Sequence, residues 1–186
     1  MVELNLLLDE VGIALTPHVL TPCDNEGCLN EIDILRAGVY NLGFIGLSDK
    51  EASFQLLDWW QKKLYKGCLK LPEQHYMVDQ RWIDLVPGYF EDLSIFRAAS
   101  YNVAYWNLHE RKLTYFAETL LVNGVPCVFM HFSGYNPLLP SNISKYQSRF
   151  KMNDLMEGGL AYKRYARELI EEGYEESSNW PYAFNS

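Results

Sequence analysis

Val39–Leu47 is a run of nine residues without a charge, interrupted by Gly43 and Gly46, and an amphipathic segment follows it almost at once. A run of that length and character reads as a buried strand. In residues 51–66, Ser53, Leu56, Leu57, Trp60 and Leu64 recur at helical spacing, with Ser48 or Asp49 available as the cap and Gly67 as the stop. A strand that feeds a helix within a few residues restricts the chain to folds that pack helices on sheets. Gly43 weakens its own strand, which points to a close approach to the backbone at that position.

The rest of the chain fits the same class. Gly12–Thr16 reads as a buried strand ending at Pro17, and residues 22–30 as a loop. Asn30 is placed to cap a short helix over residues 31–36, which Gly38 ends. Asp79–Val86 predicts a second short helix, closed by Pro87-Gly88. Strands are predicted at residues 94–96, 101–106, 112–116 and 127–131, with a tight turn at Asn123-Gly124 and a loop from Ser133 to Ser144. A last helix is predicted from about Asn153 to Glu172, with Met156, Leu160, Tyr162, Tyr165, Ala166 and Leu169 on its apolar side. Helices between short apolar strands give an α/β fold. The chain has no internal repeat or flexible linker and divides as 1–150, the main body, and 151–186, a helix and acidic tail.

Composition narrows the function classes. The 186 residues are 48% hydrophobic, enough for a packed core and too many for a disordered chain. Acidic residues exceed basic ones and the net charge is −8. No basic patch suited to a duplex is expected, so nucleic acid is not an expected partner. The four cysteines form no CxxC pair. No run approaches the roughly 18 apolar residues of a membrane span, and no cationic start leads into an apolar signal region. The expectation is a soluble cytoplasmic protein with free thiols. Aromatic residues make up 15% of the chain, which suits both core packing and stacking on sugars or bases.

The candidate chemistry is sparse. Asp79 and Asp84 are five residues apart and face different ways on a helix, a poor acid/base pair. Asp79 reads either as the cap of the helix that starts at Gln80 or, beside Gln80, as a group that binds hydroxyls. His131 ends an apolar run ahead of Ser133-Gly134, a place where α/β proteins set ligand-facing groups. It reads either as a structural histidine or as a metal or phosphate contact. His109 lies in a polar turn that opens at Asn107, while His18 and His75 are isolated and receive no role. Walker A, GxGxxG, GxSxG, HExxH and acidic DxD-like patterns are all missing.

Five segments together have a more specific likeness. They are Leu15–His18, Val39–Gly46, Val78–Pro87, Tyr101–Leu108, and His131–Gly134 with Pro137. In this order the chain resembles the C-terminal half of a bacterial GT-A-type glycosyltransferase domain, which uses nucleotide-diphospho-sugar donors in a Rossmann-like fold.

The resemblance implies roles residue by residue. Asn41 and Gly43 would line the sugar cleft. Asp79 and Gln80 would act on the transferred sugar or the acceptor near the reaction centre. His131 would ligate a metal or contact the donor diphosphate, with Gly134 in the loop after it. Asn107 and His109 would belong to a related polar turn. The donor would be a UDP-sugar and the metal Mn²⁺ or Mg²⁺.

The family's nucleotide-binding unit and DxD strand should precede Leu15, where the sequence offers fourteen residues. The expectation is therefore a domain incomplete at its N-terminus. It would be inactive as an isolated chain. A partner chain carrying the other half, or a homo-oligomer, would complete it, and that half would supply the acidic metal ligands. The alternative reading is a non-catalytic remnant that binds a protein or a glycan.

Overall fold

A computed structural model describes residues 2–23, 30–71 and 76–181, with the side chains of residues 70, 71, 76 and 77 excluded. Among the described residues it is a mixed α/β structure with three small sheets. The N-terminal helix α1 (Val2–Glu10) leads into strand β1 (Ile13–Pro17). Next come helix α2 (Glu31–Ala37), strand β2 (Tyr40–Leu47) and helix α3 (Glu51–Gly67).

β1 is the centre of the first sheet. It pairs antiparallel with β2 and parallel with β5 (Leu93–Ile95), giving the order β2-β1-β5. Ile13, Ala14 and Leu15 are fully buried, as a central strand covered on both faces requires. A register shift between Leu15 and Pro17 bends the end of β1 toward Tyr40.

The local rules hold well in this region. Asn30 caps α2 in a reciprocal capping box, with its side chain accepting from Asp33 N and the Asp33 carboxylate accepting from Asn30 N. Gly38 ends that helix at φ 116°. Leu56, with Ile13, Leu15, Tyr40, Ile83 and Val86, forms one core cluster between α3 and the sheet.

Three details differ from the sequence reading. Lys50, whose side chain donates to Asp9 O and does not cap, takes the cap position of α3, because the Ser48 hydroxyl donates to Val11 O instead. Gly67 is the last residue of α3 and not the first beyond it, and a Cβ there would fall 2.7 Å from Trp82 Cζ2, so close packing also requires a glycine. The segment after Asp79 is a 3-10 helix, Gln80–Leu85, and Pro87-Gly88 lie within the following turn α4 (Val86–Tyr89) and do not close it. The loop predicted at 22–30 falls mostly outside the described residues. β3 (Lys70–Leu71) and β4 (Tyr76–Met77) form a two-residue ladder.

The second half is less regular. β6 (Leu113–Phe116), β7 (Thr119–Val122) and β8 (Val125–Pro126) make an antiparallel meander. Its β7–β8 turn is Asn123-Gly124, both at positive φ (52° and 84°), as the tight hairpin turn requires. The strands predicted at 101–106 and 127–131 do not form. Asn102 turns the backbone to φ 55°, and a 3-10 helix follows at Tyr105–Asn107. The extended 127–131 segment meets it through single contacts, Val128 N to Ser100 O and His131 N to Val103 O.

The predicted last helix divides in two. Residues Met152–Gly158 are 3-10, Met156 breaks the run at φ 49°, and only α5 (Gly159–Glu171) is α-helical, followed by the short α6 (Tyr174–Ser177). Met156 is 86% exposed, not on an apolar face. Tyr162 and Leu155 of this tail pack into the same core cluster as Val103, Trp106 and Leu113.

Candidate functional site

The end of β1 sets the position of the site. His18 follows Pro17 directly, beyond the carboxyl end of the parallel β1/β5 pair, where open α/β sheets place ligands. Around it opens a cleft of about 450 Å³. The start of β2 contributes Asn41 and Gly43, α2 contributes Ala37, and the 3-10 helix after Asp79 contributes Gln80. The opposite wall is aromatic, with Tyr105, Trp106 and Tyr146, and His131 and Ser133 join Asp33 and Ile34 of α2 in the rest of the lining.

The polar floor is a connected network. His18 Nδ1 lies 3.2 Å from Val39 O, which can only accept, so Nδ1 carries the proton. His18 Nε2 then accepts from Asn41 Nδ2 at 3.3 Å. The same amide reaches Gln80 Oε1 at 3.4 Å, and Asn41 Oδ1 accepts from Gly43 N at 3.1 Å. Gln80 Oε1 also accepts from Leu42 N, and Gln80 Nε2 donates to Ala37 O at 2.9 Å. Gln80 therefore pins β2 to α2 through both ends of its amide. The geometry makes it a positioning group for Asn41.

His131 has a different setting. Its ring is tilted 30° against Trp106 at 5.8 Å and edge-on to Phe129 at 5.4 Å. Its Nε2 is buried with no hydrogen-bond partner among the described residues. A Cβ on Gly43 would fall 2.9 Å from that nitrogen. The close approach that Gly43 permits is therefore the His131 imidazole. Burial lowers the pKa of both histidines, His18 to about 4 and His131 in the same direction, so both rings are neutral at pH 7.

The other predicted site residues lie apart from this network. Asp79 is half-buried, does not line the cleft and makes no side-chain bond with a described residue, while its backbone carbonyl accepts from Trp60 Nε1. It occupies the cap position of the 3-10 helix without capping it. Asp84 is committed to Val39 N and Arg81. Asn107 is fully buried and structural: it donates to His18 O and Asn102 O and accepts from Ala104 N. His109 lies near Thr21 and Glu110. Gly134, at φ 71°, packs against Tyr146 and Ser144 beside the cleft.

His18 is the residue that the sequence reading missed. Its signal was the one used for His131, a histidine at the end of an apolar strand. Tyr105 and Trp106 fall in the Tyr101–Leu108 segment without a role assigned to them, and Tyr146 had no signal.

Metal chemistry does not fit the described residues. No group of three or more His, Cys, Asp or Glu among them is placed to hold a cation. His131 offers one free nitrogen, and Asp33, the acid in the lining, is held by Asn30 N and Arg36. No helix among the described residues is long and apolar enough to cross a membrane.

No family model matches the chain, and no solved structure matches it. Two Bacillus subtilis (strain 168) proteins are similar in sequence. The uncharacterized protein YfnF is 29% identical over 108 residues, covering 56% of this chain and 36% of YfnF. The uncharacterized protein YfnD is 24% identical over 102 residues, covering 54% of this chain and 33% of YfnD. The chain thus spans about a third of the length of each of these relatives.

Proposed function

We propose that the cleft holds a sugar during glycosyl transfer from a nucleotide-sugar donor, as part of a Rossmann-like GT-A-type glycosyltransferase domain completed by polypeptide outside this chain. The observation that carries this reading is the convergence of Asn41, Gly43, Gln80 and His131, from three distant parts of the sequence, on one cleft. The aromatic wall gives a sugar ring a face to stack on, and the amide-rich floor matches hydroxyl groups.

In this reading Trp106 and Tyr105 hold the ring from one side. Asn41, its amide hydrogens held by His18 and Gln80, presents the remaining lone pair of its Oδ1 from the other. The neutral His131 meets an oxygen of the donor or acceptor with its unpartnered Nε2. Asp79, outside the cleft lining and with no side-chain bond to a described residue, is the group left to position or deprotonate an acceptor hydroxyl that reaches the cleft from that side. A divalent cation enters only if acidic ligands come from elsewhere, and no step above depends on one.

The test is a set of amide-correlation NMR spectra of the purified chain, alone and with UDP, GDP and their common sugar conjugates, with and without Mg²⁺. Shifts at Asn41, Gly43 and His131 that His131→Ala removes support the reading. A spectrum indifferent to every nucleotide and sugar conjugate means that the chain holds no working donor cleft by itself, and the same indifference once the completing polypeptide is added overturns the reading.

A second reading, a non-catalytic glycan- or protein-binding module, draws on the missing cluster of metal ligands among the described residues. It requires glycan binding that needs no nucleotide and survives chelation.

A further inference from the structure

Away from the cleft, the C-terminal half of α3 carries a charge pattern at odds with the chain as a whole. Residues 59–70, WWQKKLYKGCLK, hold four lysines and no acid, in a chain of net charge −8.

Trp59, Lys62, Lys63 and Lys66 stand at i, i+3, i+4 and i+7, so they share one helix face. All three lysines are exposed. Trp59 packs edge-on against Tyr89 at 5.6 Å and Trp82 at 6.5 Å, and Lys63 Nζ sits 5.9 Å from the Trp82 ring. Tyr65, 85% exposed, follows Lys62 at i+3, Leu69 is exposed just beyond the helix, and Tyr89, which meets Trp59, is exposed as well. Lys62 has Asp58 as a partner, but both side chains are largely in solvent, where such a pair contributes little.

We propose that this face of α3 rests on an anionic lipid surface. Lysines beside exposed tyrosines and leucines are the composition of an interfacial helix, which gains from anionic headgroups and from shallow apolar burial together. A nucleic acid would engage the lysines but leave Tyr65, Leu69 and Tyr89 without burial. Attachment is peripheral and reversible, since three lysines on one face give only modest attraction. The 3-10 helix that carries Trp82 into this face also carries Gln80 into the cleft, so attachment would place lipid two residues from the cleft floor.

The experiment is co-sedimentation of the full chain with vesicles of pure phosphatidylcholine and with vesicles containing about one third phosphatidylglycerol, at low and high salt. Binding to the anionic vesicles alone is expected, weakened by salt. Neutralising Lys62, Lys63 and Lys66 to Gln should lower the partition coefficient by roughly fivefold per lysine. Tyr65→Ser should lower it at every salt concentration and remove a blue shift in tryptophan emission. Lys163→Gln on α5 should leave it unchanged, and circular dichroism establishes that each variant is folded. Equal binding to both vesicle types, no binding to either, or binding to a DNA oligonucleotide with none to vesicles each overturns the proposal.

Discussion

The first core cluster, around Ile13, Leu15 and Leu56, is held between strands and a helix, whereas the second, around Val103, Trp106 and Tyr162, is held largely between loops and 3-10 turns. In the first region backbone ladders and helical bonds satisfy the buried peptide groups. In the second, side chains do that work. Asn107 bonds to three backbone groups, Arg111 donates to Tyr101 O, and Gln147 both donates to Phe150 O and accepts from Phe150 N. Burying irregular backbone requires such partners, because an unpaired peptide group in the core is costly. The comparison teaches that both clusters rest on apolar side chains, and that the second also needs amide and charged side chains to satisfy the irregular backbone it buries.

The largest expected effect tests that contrast directly. Asn107→Ala leaves three buried backbone groups without their partner and should cost roughly 4 kcal/mol. Leu56→Ala in the first cluster should cost roughly 3 kcal/mol. Urea unfolding of both variants measures the difference, and a loss under about 1 kcal/mol for Asn107→Ala would break the contrast.

Acid provides the next test. The folded state holds the pKa of His18 at about 4, against 6.5 for the free side chain. Above pH 6.5 the ring is neutral in both states and its full contribution is present. As pH falls from 6.5 to about 4, the unfolded chain takes up the proton first and stability is lost, by roughly 3 kcal/mol in all. His131 is shifted the same way and adds to the loss. Denaturation midpoints measured across this window should fall for the native chain and flatten in His18→Asn. An unchanged slope in the variant would assign the loss to other groups.

The smallest effect sharpens the regular side of the comparison. Asn30→Ala removes one half of the capping box on α2 and should cost about 1 kcal/mol. Because α2 forms part of the cleft wall, the same variant should also weaken any ligand bound there, as titration calorimetry would register.

What the sequence made legible follows the same division. β1, β2, α2 and the core of α3 could be read from apolar runs, Asn30 and Gly38, because period and caps are local signals. The Asn123-Gly124 turn was legible for the same reason. The 3-10 helix at Tyr105–Asn107 was not, since its shape depends on Asn107 reaching His18 O, 89 residues away. Asn107 itself looked like a ligand-facing amide, and only its burial shows that its bonds go to the backbone. Of the predicted site, Asn41, Gly43, Gln80 and His131 share the cleft, while Asp79 and His109 do not line it. Gly43 was correctly read as a point of close approach, and only the fold identifies the approaching group as His131.

Glu110 has a further consequence. Its carboxylate accepts from Leu20 N, Thr21 N and the Thr21 hydroxyl, across about 90 residues of chain. Asn107 and Trp106 meet His18 over a similar separation. The strand end that carries His18 is therefore shaped by residues from the other half of the protein. Contacts of such long range form only after the intervening chain has closed. The cleft is thus a joint product of both regions, and a peptide or truncation that keeps only one of them keeps no cleft.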